Sequence, residues 1–322
     1  MKYIKKLLPL VILLLFLISM LIFADIVIKS VSFAIDICIN NLFPSMLPFL
    51  ILSSILCNYG FVELTAQILK PVMTHLFHLN SNCAYVLVLS ILSGSPSNSK
   101  YIKQLLDNGK ISISDANQVL LFSHFVNPIF VIGTVGTLFL GNKIYGFIIL
   151  ISHYLANLLI GIFLRKKEIP KFEKGNHNTL LNITPKNFIT TLKRSITDTT
   201  DTLLIVFGTI TCCLVFSSII NAYFDFNPIL NGILEVTSGL RYTSMSNMNI
   251  IIKIIISTFF ISFGGFSIHA QVLSILDNKK IRYLPYLEAR LLQGLIGSII
   301  VYFLYMIITR LSVLNWWIIL IE

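Results

Sequence analysis

Two interruptions of apolar runs hold the residue types best suited to binding a solute. One reads Ser-Gly-Ser-Pro-Ser-Asn-Ser-Lys at residues 93–100, and the other reads Phe-Gly-Gly-Phe-Ser-Ile-His-Ala at residues 263–270. Glycine permits backbone angles that are closed to other residues, and proline ends a preceding helix. A helix that restarts after each interruption presents unpaired N–H groups and the positive end of its dipole. Two such helix starts would suit a small anion.

The same glycines and serines have a second explanation, which is close helix packing in a membrane. Polar residues cluster with both interruptions, and this favours solute binding. The candidate solute-binding residues are Gly94, Ser95, Pro96, Ser97, Asn98, Ser99, Lys100, Asn127, Gly264, Gly265, Ser267, His269 and Gln271. Asn127 joins the set because Asn127-Pro128 breaks a third apolar run.

Other kinds of site have no support in the sequence. The six histidines form no H-x-x-x-H or H-E-x-x-H pattern, and the five cysteines form no C-x-x-C pair. No nucleophile and base stand at a spacing that can be interpreted as a catalytic pair. We therefore predict no metal, no cofactor and no enzymatic activity.

The elements that position these residues must lie in a membrane. Of 322 residues, 56% are apolar and 12% are charged, against about a quarter charged in ordinary soluble domains. A spanning helix needs about 20 mostly apolar residues. Uninterrupted candidates are residues 7–28, 144–164, 202–223, 250–263 and 291–308, and interrupted ones are 34–57, 84–92 and 116–140. We predict six to nine membrane-embedded elements, the first an uncleaved anchor rather than a signal peptide.

The excess of positive charge, formally +10, follows membrane topology. Eight of the 24 basic residues lie between Arg165 and Arg194, in a short polar stretch between two strong spans. The positive-inside rule places such a connector in the cytoplasm, together with the N-terminal lysines. This placement argues against nucleic acid as a partner and makes the lipid bilayer the expected surrounding.

The chain contains an internal repeat. With residue 94 set over residue 264, Leu-Asp-Asn-Gly-Lys-Ile at 106–111 aligns with Leu-Asp-Asn-Lys-Lys-Ile at 276–281, five identities in six. Repeats that meet at broken helices are typical of secondary transporters. We therefore predict an all-α polytopic membrane protein whose two repeated units, inverted relative to each other, meet at broken or re-entrant helices near the midplane.

The predicted division of the chain follows from this repeat. It comprises an N-terminal anchor span at 1–29, a first repeat at 30–164, a basic cytoplasmic linker at 165–194, a second repeat at 195–310, and an interfacial C-terminal tail at 311–322.

At these motifs the chain resembles the sporulation integral membrane proteins with paired nucleoside-recognition (Gate) domains. The resemblance rests on residues 93–100, on Asn-Pro-Ile-Phe-Val-Ile-Gly-Thr-Val-Gly at 127–136, on Ile-Ser-His-Tyr at 151–154 and on residues 263–273. It covers roughly residues 30–310. Asn98 and Asn127 stand where the family pattern has glycine, and because asparagine tolerates left-handed backbone we expect the bends to be kept.

The resemblance implies a function. It implies a transporter that moves dipicolinate, or a similar small aromatic dicarboxylate, from mother cell toward forespore, in the outer forespore membrane. A non-transporting scaffold or gating component of a sporulation complex, and a nucleoside-type transporter, are the alternatives. A homo-oligomer and other sporulation membrane proteins are the protein partners compatible with it.

Overall fold

The computed structural model describes residues 2–166, 187–224, 228–277 and 280–319, with the side chains of 2–6, 228 and 311–319 left aside. Within these residues the chain is helical and contains no strand. The helices are α1 Lys2–Ile22, α2 Ala24–Ile37, π1 Cys38–Leu42, α3 Phe43–Asn58, α4 Phe61–Ile68, π2 Val72–Leu76, α5 Cys83–Ser93, α6 Ser97–Asp107, α7 Ile113–Leu120, π3 Phe130–Phe139, α8 Lys143–Phe163, α9 Phe188–Phe224, α10 Pro228–Leu234, α11 Val236–Met245, α12 Ile250–Phe263, α13 Gly265–Leu276 and α14 Tyr283–Ile319.

Five helical segments in the described part of the chain are long and apolar enough to cross a membrane. They are Ala24–Asn58, Lys143–Phe163, Phe188–Phe224, Ile250–Leu276 and Tyr283–Arg310. Shorter apolar helices cover Leu7–Ile22, Cys83–Ser93 and Phe130–Phe139. The prediction of an all-α polytopic integral membrane protein is confirmed.

The N-terminal region differs from the single span predicted at residues 7–28. Helix α1 ends at Ile22, and Phe23 has non-helical backbone angles before α2 begins at Ala24. The interruption is confined to Phe23, because the helical hydrogen bonds from the Phe23 N–H to the Ser19 carbonyl and from the Val27 N–H to the Phe23 carbonyl are kept. Asp25 lies in the first turn of α2, where a helix dipole favours a negative charge. The long apolar segment then continues through π1 to Asn58.

Two predicted segments fall partly outside the described residues. The basic linker at 165–194 is described only up to residue 166 and from residue 187 onward. Its start is held by Asp115, whose Oδ1 accepts from Lys166 Nζ at 3.2 Å. At the other end of the chain, α14 runs without interruption through residues 311–319, so the predicted tail continues the last helix.

The buried core joins the two halves of the chain. One apolar cluster combines α4, α5, α6 and α7 with Val272 of α13 and Tyr286 of α14. A second combines π3 and α8 with α11, α12 and α14. Helix α9 packs against α2, α3 and α13, and α6 packs against α13. The helices that follow the two glycine interruptions therefore touch each other inside the molecule.

Candidate functional site

The first break lies between α5 and α6. Gly94 ends α5 with φ +82°, a backbone angle that favours glycine, and the Ser95–Pro96 peptide is cis. A Cβ on Gly94 would lie 2.5 Å from the backbone N of Asn127, so the chain passes too closely for any side chain. The Ser95 N–H donates to the Phe125 carbonyl at 2.6 Å. Helix α6 then begins at Ser97, as the sequence predicted.

The second break lies between α12 and α13 and is a single residue long. Gly264 ends α12 and precedes α13, with φ +88°. A Cβ on Gly264 would lie 2.9 Å from Cε1 of His124. Gly265 also has a positive φ, at +58°, and opens α13.

Both breaks therefore contact one short segment, residues 124–127. Gly94 abuts Asn127, and Gly264 abuts His124. Three residues of extended chain span at most about 11 Å, so the two helix starts lie close together. The segment itself connects α7 to π3 and is not helical at these four positions.

The predicted site residues are mostly buried around these starts. Ser97, Asn98, Ser99 and Ser267 have no exposed side-chain surface, and Gln271 and His269 are almost fully buried. The Oγ atoms of all three serines and Nε2 of Gln271 lack a hydrogen-bond partner. A buried polar group left without a partner costs about 1–3 kcal/mol, so these atoms call for a water molecule or a solute.

The two asparagines act differently from the prediction, since neither has the positive φ expected of a glycine substitute. Asn98 lies inside α6, and its Nδ2 donates to Ser123 Oγ at 3.2 Å. Asn127 Oδ1 accepts from the N–H of Ile129 at 2.8 Å and of Phe130 at 3.3 Å, and so caps the helical turn that begins at Pro128 and leads into π3. What both asparagines contribute is the side-chain amide and not left-handed backbone.

His269 is held by protein groups on both sides of its ring. Its Nε2 lies 3.0 Å from the Phe263 carbonyl, which can only accept, so Nε2 carries the proton. The Tyr283 hydroxyl then donates to Nδ1, at 3.1 Å. A neutral ring satisfies both contacts, so His269 does not need a solute as a partner, in contrast to Ser267.

Lys100 is nearly buried at the first helix start. Its Nζ donates to Thr199 Oγ1 of α9 at 3.1 Å, which ties α6 to α9. It also lines a cavity of about 710 Å³ between α3, α4, α6, α9 and α13. The charged lining consists of Lys100, Lys103, Lys110 and Arg194 with Glu63, Asp107, Asp198 and Asp201. Four charges of each sign balance, so the lining as a whole favours neither anions nor cations.

A second cavity, of about 60 Å³, lies between the breaks. Ser95, Pro96 and Asn127 line it from one side, and Gln271 lines it from the other. Glu235 also faces it, with its carboxylate accepting from Thr237 Oγ1 and from the Ser238 N–H. This volume holds a few water molecules, at roughly 10–15 Å³ each, and is too small for an aromatic dicarboxylate.

The structure also brings together a polar cluster that the sequence reasoning missed. Arg290 of α14 is fully buried and contacts the Leu121 carbonyl, Gln293 and Asn157. The sequence feature that could have indicated this cluster is a lone arginine at the edge of an apolar run. Ionisable residues at membrane depth are usually functional. No group of three His, Cys, Asp or Glu residues within the described ranges is placed to hold a metal ion.

Comparisons with known proteins show the family to which the chain belongs. A family model described as "Nucleoside recognition" (Gate) matches residues 39–143, which include the first break. The chain is 30% identical over 301 residues to the sporulation integral membrane protein YlbJ of Bacillus subtilis (strain 168), covering 82% of this chain and 74% of the relative. No solved structure matches. With this identity and coverage, the chain belongs to the family of sporulation integral membrane proteins that carry a Gate domain.

Proposed function

We propose that this protein transports a small anionic solute across a sporulation membrane, with dipicolinate (pyridine-2,6-dicarboxylate) moved from mother cell toward forespore as the leading substrate. The observation that carries the proposal is the convergence of both breaks on residues 124–127. There, two helix N-termini and the unpartnered hydroxyls of Ser97, Ser99 and Ser267 are buried together. Such donors can replace part of the hydration shell of a carboxylate.

The large cavity supplies a route to this region. It is lined by Arg194, at the end of the basic linker, and by Lys100, in the first turn of α6. Because the positive-inside rule places the linker in the cytoplasm, the cavity serves as the cytoplasmic vestibule in this proposal. The 60 Å³ space between the breaks is too small for the solute, so passage requires the break regions to move apart, as alternating access demands.

Uptake of radiolabelled dipicolinate by vesicles containing only this chain tests the proposal. We expect saturable uptake that falls at least about tenfold when both helix-start hydroxyls are removed by Ser97→Ala with Ser267→Ala. Ser274→Ala is the matched control. Ser274 is on the same helix, α13, and lines the vestibule, but it lies away from the start of that helix. The control variant should transport normally.

The other functions give different results in the same assay. A scaffold or gating component would show no uptake above empty vesicles, although the protein inserts and accumulates. A nucleoside-type transporter would take up radiolabelled uridine and show no competition by dipicolinate. Equal dipicolinate uptake by the wild-type chain and the double serine variant would contradict binding at the helix starts.

A further inference from the structure

Arg290 is a buried cation without a counter-ion. Its side chain has no exposed surface, and no carboxylate of the described residues lies within ion-pair distance. A guanidinium offers five N–H donors. The acceptors it contacts are the neutral oxygens of Leu121, Gln293 and Asn157, and its Nε has no partner. A charge buried in this way is costly unless an anion compensates it.

The hydrogen bonds around Arg290 fix the orientation of its neighbours. Gln293 Oε1 accepts from Arg290, so Gln293 Nε2 is the donor that lies 3.2 Å from His153 Nδ1. The same Gln293 Nε2 lies 3.2 Å from the His153 carbonyl, and Ser262 Oγ lies 2.9 Å from His153 Nδ1. With the Ser262 hydroxyl donating to Nδ1, the ring proton of His153 is on Nε2. In the same way Asn157 Oδ1 accepts from Arg290 at 3.5 Å, which leaves Asn157 Nδ2 as a donor.

Apart from Nδ1 of the neighbouring His124, which accepts because Nε2 of that ring faces the Ile261 carbonyl, the buried atoms left over in the cluster are donors. His153 Nε2, Asn157 Nδ2 and Arg290 Nε are all buried without a partner, and so is the hydroxyl of Tyr286, whose ring centroid lies 5.4 Å from Arg290 Cζ. A set of unsatisfied N–H groups around one positive charge has the chemistry of a carboxylate site. Waters alone would satisfy the donors but leave the charge uncompensated.

The cluster adjoins the second break. His124 contacts Gly264, and its ring centroid lies 5.9 Å from that of His153. On the other side His269 of α13 lies 5.0 Å from Tyr286, between ring centroids. A solute held at the start of α13 is therefore one side chain away from the donors around Arg290.

We propose that Arg290, His153 and Asn157 form an internal carboxylate-binding site that receives one carboxylate of the transported anion. The identity of the solute in this inference rests on the proposed function. The existence of the site does not. Residues of both predicted repeats contribute, with His153 and Asn157 on α8 and Arg290 on α14. Relative motion of α8 and α14 would open or close the site.

Two substitutions in the purified, reconstituted full chain test the site. Arg290→Lys keeps the charge but loses the planar donor fork, so we expect the affinity for pyridine-2,6-dicarboxylate to fall about tenfold. Asn157→Asp places a permanent carboxylate beside Arg290. It should raise the thermal stability of the chain and abolish binding, because the built-in anion occupies the site. Arg282→Lys, at an exposed arginine outside the cluster, is the matched control and should bind as the wild type does.

Binding of benzoate, a simple carboxylate probe, separates this inference from the proposed function. Stabilisation of the wild-type chain by benzoate, lost in Asn157→Asp, supports the site even where vesicles take up no dipicolinate. Dipicolinate transport that is unchanged in both Arg290→Lys and Asn157→Asp overturns the site and leaves the proposed transport standing. A lower thermal stability of Asn157→Asp also overturns it, because the guanidinium would then not lack an anion.

Discussion

His124 lies directly against Gly264, with its Cε1 atom 2.9 Å from the position that a Cβ on the glycine would occupy. Its Nε2 lies 3.3 Å from the Ile261 carbonyl, in the last turn of the helix that Gly264 ends. A residue of the first predicted repeat thus covers the break of the second. The two breaks are parts of one structural unit, and a substitution at either break should alter the packing at both.

Gly264→Ala should destabilise the protein. The φ of +88° costs a non-glycine residue roughly 1–2 kcal/mol, and the added methyl group displaces the His124 ring. We expect a lower melting temperature in detergent together with reduced transport. Gly208→Ala is the control, because Gly208 lies inside α9 with no atom within 4 Å of an added Cβ. An equally stable Gly264→Ala variant would contradict the geometry of the break.

Gly94→Ala should be more damaging than Gly264→Ala. The φ values are similar, +82° and +88°, but the obstacle at Gly94 is the backbone N of Asn127 at 2.5 Å and not the end of a side chain. A ring can rotate away, whereas backbone can yield only by moving the chain. Comparing the folded yields of the two variants in the same detergent measures the difference. The reverse order would be inconsistent with this packing.

The sequence predicted the elements that depend on local signals. Apolar runs, glycine and proline gave α12 over Ile250–Phe263, α5 within one residue at each end, and both helix starts after the breaks. These features follow from hydrophobicity and backbone freedom, which are properties of a few neighbouring residues. The inverted relation of the two repeats stays a prediction.

Features that depend on distant contacts were not predictable. Arg290 stands one residue before the predicted span at 291–308 and reads as a flanking charge, yet α14 begins earlier, at Tyr283, and buries it. Two of its three partners, Leu121 and Asn157, are more than a hundred residues away in the sequence. Likewise, the capping role of Asn127 depends on its side-chain amide, whereas the residue type alone suggested left-handed backbone.

Tyr101→Phe should lower stability without preventing insertion. The buried hydroxyl of Tyr101 lies 2.9 Å from Ser53 Oγ and 2.8 Å from Ser93 Oγ, and so joins α6 to α3 and to the end of α5. The two serine hydroxyls keep their hydrogen bonds to the Leu50 and Leu89 carbonyls, so removing the Tyr101 hydroxyl costs only the lost hydrogen bonds, about 1 kcal/mol each. Thermal unfolding measures the loss, and Tyr302→Phe, on an exposed part of α14, should show none.

The topology predicts that the basic linker and the N-terminus face the cytoplasm. Single cysteines at the Lys174 and Lys5 positions, in a chain freed of its five native cysteines, should resist a membrane-impermeant thiol reagent in intact cells. Both should react after permeabilisation. Labelling of either position in intact cells would contradict the assigned orientation, and with it the assignment of the large cavity as the cytoplasmic vestibule.

Lys100 and Lys103 provide a matched pair for testing the proposed selection of anions in the large cavity. Both line the large cavity from α6, but Lys100 is nearly buried, whereas Lys103 is only partly so. Lys100→Met should reduce dipicolinate uptake strongly, because the charge nearest the helix start is lost where water screens it least. Lys103→Met should have a small effect that disappears at high salt, as expected for a solvated charge.

Thr199→Val completes the test, since it removes the acceptor of Lys100 and should lower stability while leaving the charge in place. Equal uptake by Lys100→Met and Lys103→Met, at equal protein levels, would mean that the vestibule acts through its overall field and not through Lys100.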